Sequence, residues 1–111
     1  MSSASTSPGT RAFRMKLKPG NEQVYRERHD AIWPELSALL HDAGIYDYSI
    51  FLDEATLDLF AVMKLRPGHD LGPLPQHPVM RRWWDYMADL MEVEPGNRPC
   101  EWPLVQVFHL A

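Results

Sequence analysis

The 111-residue sequence has one cysteine, Cys100, and no long hydrophobic run. A lone cysteine cannot form an internal disulfide, which favours a reducing compartment. No stretch approaches the roughly 18 consecutive apolar residues that identify a transmembrane helix. Basic residues are fewer than acidic ones, and the net charge is −4. Proteins that bind nucleic acids or anionic membranes usually have a clustered basic surface. The sequence therefore predicts a cytoplasmic protein that binds neither nucleic acid nor membrane.

Motifs for metals and cofactors are missing as well. The histidines lack metal-ligand spacing such as H-E-x-x-H, and no zinc-like cysteine and histidine set is present. The sequence also lacks G-x-G-x-x-G, a Walker loop and a G-x-S-x-G elbow. We expect no metal and no cofactor, so the chemistry must be one that side chains perform alone, and proton transfer qualifies.

The length allows one domain with a modest core, because small chains bury a smaller share of their surface than large ones. Residues 1–10 are rich in Ser, Thr, Ala and Gly and predict a disordered tail. Residues 11–111 are expected to form the single domain. Any ligand site in so small a domain should be shallow or shared between subunits.

Alternation of apolar and polar side chains predicts the strands. Residues 11–17 have the period of two that is typical of a half-buried strand. Residues 46–51 and 57–65 alternate on either side of a polar turn, which predicts an antiparallel hairpin. A final strand is predicted over residues 104–110.

Helical spacing starts after Asn21, which is a good N-cap. Pro34 should break this helix and begin a second helical piece, which Gly44 ends. Residues 79–91 again have helical spacing, whereas residues 66–78 are rich in proline and glycine and predict a loop long enough to be a lid.

The order strand, helix, strand, strand, helix, strand predicts a ferredoxin-like α+β domain, βαββαβ, with helices on one face of an antiparallel sheet. The other face of the sheet should also be covered, because some of the strand residues that point toward it are apolar as well. A second copy packed sheet against sheet, as a two-fold homodimer, is the economical solution.

Tyr25 and His29 stand four residues apart on the first predicted helix, so their side chains share one face. A histidine can donate or accept a proton near neutral pH, and a phenol can orient a hydroxyl group. Spacing alone also allows a structural interpretation, in which a partly buried histidine at a helix end packs beside a core tyrosine.

Trp83 and Trp84 are adjacent on the last predicted helix and point about 100° apart, so they cannot share one core face. One ring can pack in the core, while the other lines a cleft, where it could stack on a sugar, or lies at a dimer interface. Tyr46 and Tyr48 share the strand parity of Ile50, which predicts both phenols on one sheet face, bonded to protein or to ligand.

Two longer motifs carry a family resemblance. The run YRERHDAIWPEL at residues 25–36 resembles the Y-x-x-R-H-x-x-I-W-P-E-L signature of the L-rhamnose mutarotase family. The run RWWDYMADLM at residues 82–91 is similar to that family's R-W-W-x-Y-M-x-D-x-M. The chain departs from the family at residues 68–78, where a helical segment with a tryptophan is usual, and at residues 95–99, where PGNRP replaces P-D-N-x-P.

The resemblance covers about residue 11 to the C-terminus and implies a dimeric ferredoxin-like α/β barrel. The implied activity is exchange of the anomers of L-rhamnose, or of a related 6-deoxy sugar, without a cofactor, which would feed a rhamnose isomerase. By motif, His29 matches the family's proton donor. The sugar-binding positions match Tyr25, Tyr48, Trp83 and Trp84.

Mutarotation opens the ring of a sugar hemiacetal and closes it on the other face of the aldehyde. We hypothesise that His29 donates a proton to the ring oxygen as a general acid. The complementary base stays open, and a water held by Tyr25 or Tyr48 is one candidate. Two rival functions fit the same scaffold, namely a cofactor-independent monooxygenase and a non-catalytic dimeric sugar-binding module.

Overall fold

The computed structural model describes residues 9–111 as an α+β domain with one antiparallel sheet. In chain order its elements are β1 (Thr10–Lys16), α1 (Glu22–Asp30), α2 (Pro34–Asp42), β2 (Ile45–Leu52), β3 (Asp58–Leu65), a 3₁₀ turn (Leu74–Gln76), α3 (Pro78–Met87) and β4 (Trp102–Pro103). The strand order is β2-β3-β1-β4, and all three strand pairs are antiparallel. The prediction of an antiparallel sheet with helices is confirmed.

The sequence predicts a tail over residues 1–10, of which residues 1–8 lie outside the described part of the chain. Strand β1 begins at Thr10, one residue earlier than predicted. Within the described part of the chain, no helix is both long and apolar enough to cross a membrane.

The two central strands, β1 and β3, place every second side chain in the core. Phe13 stands opposite Ala61 and Met15 stands opposite Leu59, and all four are almost fully buried. This inner face packs against the helices through a continuous cluster of buried residues: Phe13, Met15, Leu17, Tyr25, Leu36, Ile45, Leu59, Ala61, Met63, Met80, Trp83, Met87, Leu90 and Met91. The alternation in the sequence thus identifies the inner face correctly.

Pro34 separates two helices, as predicted. Helix α1 ends at Asp30, and α2 starts with Pro34 at its first position, where the missing N–H needs no partner. Trp33 before it is extended, as residues before proline prefer. Gly44 follows α2 with φ +101°, and a Cβ there would come within 2.5 Å of the His69 Cβ, so this position requires glycine.

Strand β2 carries an irregularity that alternation did not predict. Its register against β3 shifts between Tyr46 and Ser49, where Asp47 adopts φ +46°. Tyr46 stands opposite Lys64 and Ile50 opposite Ala61, positions of opposite parity on β3. The prediction that Tyr46 shares a face with Ile50 is therefore wrong, because the bulge reverses the parity of the strand.

The predicted strand over residues 104–110 is also wrong. Strand β4 is only Trp102–Pro103, and its pairing with β1 stops after the Leu104 amide donates to the Ala12 carbonyl at 3.0 Å. Beyond it the apolar side chains lie outside the core cluster that the described residues form. Four of them are 63–91% exposed: Val105, Val107, Phe108 and Leu110.

The segments on either side of α3 are close to expectation. The helix ends at Met87 and not at residue 91, although Leu90 and Met91 are buried as helical spacing suggested. Residues 66–77 are a loop apart from the 3₁₀ turn, whereas Pro78 already begins α3, and Leu71 and Leu74 pack against the core. Movement of this loop as a lid stays a prediction.

Candidate active site

A cavity of about 1010 Å³ lies against the inner face of the sheet, and residues of all three helices line it. Its walls combine apolar core side chains with polar and charged groups from the sheet, the helices and the loops. Every site residue that the sequence predicted lines this cavity: Tyr25, His29, Tyr48, Trp83 and Trp84. The structure thus brings all five positions together, although they come from three different elements.

Tyr25 and His29 face the cavity from α1 with ring centroids 4.4 Å apart. The shared helix face that their spacing predicted is confirmed. His29 Nδ1 is 3.0 Å from the Tyr25 carbonyl oxygen. Because a carbonyl oxygen can only accept, Nδ1 carries the hydrogen and donates it. Nε2 is therefore the ring nitrogen that is free to exchange a proton with a ligand.

The pKa of His29 lies below its ordinary value of 6.5, mainly because burial disfavours the charged imidazolium. The hydrogen bond to the Tyr25 carbonyl and the nearby Asp30 carboxylate oppose this shift only in part. The imidazole is accordingly neutral at pH 7. In this tautomer Nε2 has a lone pair, so His29 meets a ligand first as a proton acceptor.

Trp83 fixes the imidazole from the other side. Its ring lies edge-on to His29 at a centroid distance of 5.4 Å and is only 6% exposed. Trp33, which the family motif contains but which was not predicted as a site residue, meets Trp83 edge to face at 5.1 Å. These buried aromatic contacts restrict the orientation of His29.

The rings of His29, Trp83, Trp33 and Tyr86 form a continuous row of aromatic contacts, which ends at an ion pair on the surface. Tyr86 stacks on Trp33 at 5.5 Å, and the Arg28 guanidinium lies 4.3 Å from the Tyr86 ring centroid. Arg28 also donates to the Asp89 carboxylate at 3.1 Å. The side chain of Arg28 comes from the same helix as His29, so its contact with Tyr86 links α1 to α3 and its ion pair links α1 to the residues that follow α3.

Trp84 occupies the cavity wall, as the divergence of adjacent helix positions predicts. Its ring is half-buried and lines the cavity, and the Arg98 guanidinium lies 5.5 Å from its centroid. An indole in this position offers a flat apolar surface to a ligand.

The two phenols of the site remain protonated at neutral pH. Burial, and to a smaller extent Tyr48, raises the pKa of Tyr25 well above its usual value. Although 37% of Tyr48 is exposed, desolvation of its hydroxyl raises its pKa strongly, and the Glu101 carboxylate adds to this. Both phenols can donate hydrogen bonds, and neither can serve as a base.

An ion pair on the cavity wall was missed in the sequence. Arg11 Nη2 lies 3.1 Å from Glu101 Oε1, and both residues line the cavity. The alternation of residues 11–17 gave a signal for Arg11, because it shares the parity of Phe13 and Met15 and so had to point inward. Glu101 stands in a proline-rich stretch with no periodicity, and nothing in the sequence pointed to it.

The chemistry that these groups support is proton transfer on an uncharged, hydroxyl-rich ligand. A neutral imidazole, two phenols, an indole wall and an ion pair surround one cavity. Within residues 9–111, no three His, Cys, Asp or Glu side chains stand close enough together to hold a metal ion.

Comparison with known proteins gives a consistent result. The family model for L-rhamnose mutarotase matches residues 10–110. An L-rhamnose mutarotase of Brucella anthropi is 54% identical over 99 residues, which are 89% of this chain and 93% of the relative. One of Sinorhizobium fredii is 57% identical over 100 residues, 90% and 96% of the two chains. The crystal structure of an L-rhamnose mutarotase from Formosa agariphila superposes with a TM-score of 0.85 at 47% identity, covering 92% of this chain and 98% of that one.

Proposed function

This chain belongs to the L-rhamnose mutarotase family, and on that basis we propose how its cavity interconverts the α- and β-anomers of L-rhamnose. It is an isomerase that acts on a free sugar. The observation that carries the mechanism is the hydrogen bond from His29 Nδ1 to the Tyr25 carbonyl, which leaves Nε2 of this cavity-lining imidazole free to exchange a proton with a ligand.

His29 moves one proton between two oxygens that are bonded to the same carbon. Nε2 accepts the proton of the anomeric hydroxyl and delivers it to the ring oxygen. The bond from the anomeric carbon to the ring oxygen breaks, and the carbonyl of the open-chain aldehyde forms. His29 is thus the donor to the ring oxygen, and it is neutral again when the ring has opened.

Ring closure is the same path in reverse. Rotation about the bond between the first two carbons presents the other face of the aldehyde to the ring hydroxyl. That hydroxyl gives its proton to Nε2 as it attacks, and Nε2 returns a proton to the new anomeric oxygen. One imidazole supplies both the acid and the base, so no separate protein base is needed.

Tyr25, Tyr48, Trp83 and Trp84 bind the sugar in this proposal. The phenols of Tyr25 and Tyr48 donate hydrogen bonds, which their raised pKa values support. Trp84 offers its face to the apolar side of the pyranose, and Trp83 contributes mainly by holding His29 in position.

The finer architecture belongs to the proposal as well. The strand order β2-β3-β1-β4 supports a ferredoxin-like βαββαβ domain over residues 11–111. A homodimer is supported by the outer sheet face, where Phe51, Val62 and Trp102 are 61%, 36% and 38% exposed. The free thiol of Cys100 is in keeping with a cytoplasmic enzyme.

Saturation-transfer proton NMR on equilibrated L-rhamnose tests the function directly. Irradiation of one anomeric signal should reduce the other only when the protein is present. His29→Asn should lower the exchange rate by about 10²- to 10⁴-fold, the usual contribution of positioned proton transfer.

His69→Asn is the matched control. His69 Nδ1 makes the same kind of hydrogen bond, 2.9 Å to the Arg66 carbonyl, on a loop and not on the cavity wall. This variant should keep the wild-type rate. A folded His29→Asn protein with full activity would exclude His29 as the proton carrier, and oxygen consumption or binding without exchange would favour one of the rival functions.

A further inference from the structure

We propose that Arg11 and Glu101 form a second polar subsite of the cavity, which binds adjacent hydroxyl groups of the sugar and so determines sugar preference. The inference rests on the proposed function, because it assumes that a monosaccharide occupies the cavity. It adds two residues to the four proposed above as sugar-binding.

The position of the pair is the first reason. Arg11 lies on β1 with the inner-face parity, and Glu101 immediately precedes β4, so the pair stands where these two strands meet. Both side chains line the cavity that contains His29. They are 41% and 21% exposed, which leaves them sheltered by protein and still reachable by a ligand.

The pair shares the cavity with the other polar groups of the proposed site. Tyr48 and Tyr25 line the same cavity, and the Glu101 carboxylate adds to the effect of burial in raising the pKa of Tyr48. Tyr25 in turn contacts His29. A sugar with its anomeric carbon at His29 would therefore extend its other hydroxyls past the phenols toward the ion pair.

The chemistry of the pair suits neighbouring hydroxyl groups. The ion pair joins Nη2 to Oε1, and a carboxylate has a second oxygen that can accept. A guanidinium has five N–H donors in a fixed fork. Two adjacent sugar hydroxyls can thus donate to the carboxylate and accept from the guanidinium, and charge strengthens both kinds of bond.

The other face of the sheet provides an internal comparison. Arg14 and Asp58 form an ion pair of 3.0 Å with side chains 32% and 19% exposed, nearly the geometry of Arg11 and Glu101. Neither Arg14 nor Asp58 lines the cavity. An arginine on β1 can therefore form an ion pair on the outer face of the sheet. Placing such a pair at the inner face is more costly, because charges are removed from water there.

The test measures anomer exchange by NMR at increasing sugar concentration for the wild-type protein and for Glu101→Gln. L-rhamnose is compared with analogues that each lack one ring hydroxyl. Glu101→Gln should raise the KM for L-rhamnose by about tenfold, as expected for loss of a charged hydrogen-bond acceptor. Its kcat should change less than about twofold, because the contact is remote from the reacting carbon.

The decisive result is the pattern across the analogues. Removal of the hydroxyl that Glu101 binds should raise the wild-type KM by about tenfold and the KM of Glu101→Gln by less than about twofold. A merely structural ion pair would not produce this pattern. Asp58→Asn, the matched control on the outer face, should discriminate among the analogues as the wild type does.

The outcomes separate the two levels of the proposal. If the wild-type protein does not exchange anomers, the proposed function fails. A second outcome is that the wild-type protein exchanges anomers and His29→Asn does not, while Glu101→Gln keeps the wild-type KM and sugar preference. In that case the proposed function stands and only the subsite is overturned. Arg11→Met gives a second variant if Glu101→Gln unfolds, and a wild-type KM that is insensitive to every deoxy analogue would overturn the subsite without any variant.

Discussion

The two faces of the sheet are built from alternate residues of the same strands, yet they have different surroundings. The inner face carries Phe13, Met15 and Ala61, each at most 4% exposed, and it meets three helices. The outer face carries Phe51 and Val62, which are 61% and 36% exposed. A period of two determines which side chains share a face, whereas the rest of the chain determines what that face becomes.

The comparison explains why only one face supports chemistry. On the inner face burial lowers the pKa of His29 and raises the pKa values of Tyr25 and Tyr48. On the outer face Asp58 has a lowered pKa, mainly through its hydrogen bond with Thr56 and then through Arg14 and Lys16. Burial thus leaves His29 neutral and able to accept a proton near neutral pH and keeps the two phenols protonated, whereas the Asp58 carboxylate stays charged beside its cationic partners.

The largest difference between the two faces should appear in the free energy of unfolding, when one tryptophan is removed from each face. Trp83 is 6% exposed and packs against His29 and Trp33. Trp83→Ala should lower the free energy of unfolding by about 3–5 kcal/mol, since it leaves a cavity in the core. Urea denaturation followed by circular dichroism measures this change.

Trp102→Ala is the counterpart on the outer face. Trp102 is 38% exposed and lies under the Arg14 guanidinium at 4.3 Å. Its removal should cost less than about 1 kcal/mol within one chain. Any larger loss in the free energy of unfolding should increase with protein concentration, because it would come from lost contacts between chains. Equal costs for both variants at all concentrations would contradict the division into two faces.

The second prediction concerns what covers the outer face. Val62→Asp should weaken the proposed homodimer by about 100-fold or more, because each of two symmetric copies loses about 1.5 kcal/mol or more of apolar burial. Sedimentation velocity over a range of concentrations would show the dissociation. Val24→Asp is the control, since Val24 is 36% exposed but lies on α1. Wild-type protein that sediments as a monomer would refute the dimer.

The inner face and its helices could be predicted from the sequence because each depends on local rules. Alternation over residues 11–17 identified the inward side chains of β1, and Pro34 identified the break between α1 and α2. The four-residue spacing of Tyr25 and His29 placed both on one helix face. These signals need no knowledge of the rest of the chain.

Other features depended on contacts between distant residues and could not be predicted. The bulge in β2 follows from its register against β3, so the parity of Tyr46 was wrong. Residues 104–110 alternate like a strand, but in the described part of the chain the strand pairing of β4 with β1 ends near Leu104. Glu101 reaches the site only because the chain before β4 returns to Arg11, 90 positions away in sequence.

The third prediction uses pH to distinguish the faces. Because Nε2 of neutral His29 starts the reaction, kcat/KM should fall as pH drops through the His29 pKa, which lies below 6.5. Below that pKa the loss should approach tenfold per pH unit. Asp58 on the outer face keeps its charge throughout, since its pKa lies below the ordinary 3.8.

Asp30→Asn sharpens this prediction. The Asp30 carboxylate favours the imidazolium and so raises the pKa of His29 in part. Its removal should move the acidic limb of the kcat/KM profile to still lower pH. A kcat/KM that does not fall at acidic pH would show that the neutral imidazole is not the active form. A limb at or above pH 6.5 in the wild-type protein, or a shift to higher pH in Asp30→Asn, would contradict the lowered pKa of His29 and its cause.

The smallest expected effect concerns a single hydroxyl. Tyr48→Phe removes one proposed hydrogen bond to the sugar and should raise the KM by about 2- to 12-fold, corresponding to about 0.5–1.5 kcal/mol. Tyr86→Phe removes a hydroxyl from a ring that stacks on Trp33 outside the cavity lining, so its KM should stay unchanged. If the two variants behave alike, the Tyr48 phenol does not bind sugar. If only Tyr48→Phe loses affinity, the Tyr48 phenol contributes a hydrogen bond to the sugar from β2, a strand of which several residues line the cavity.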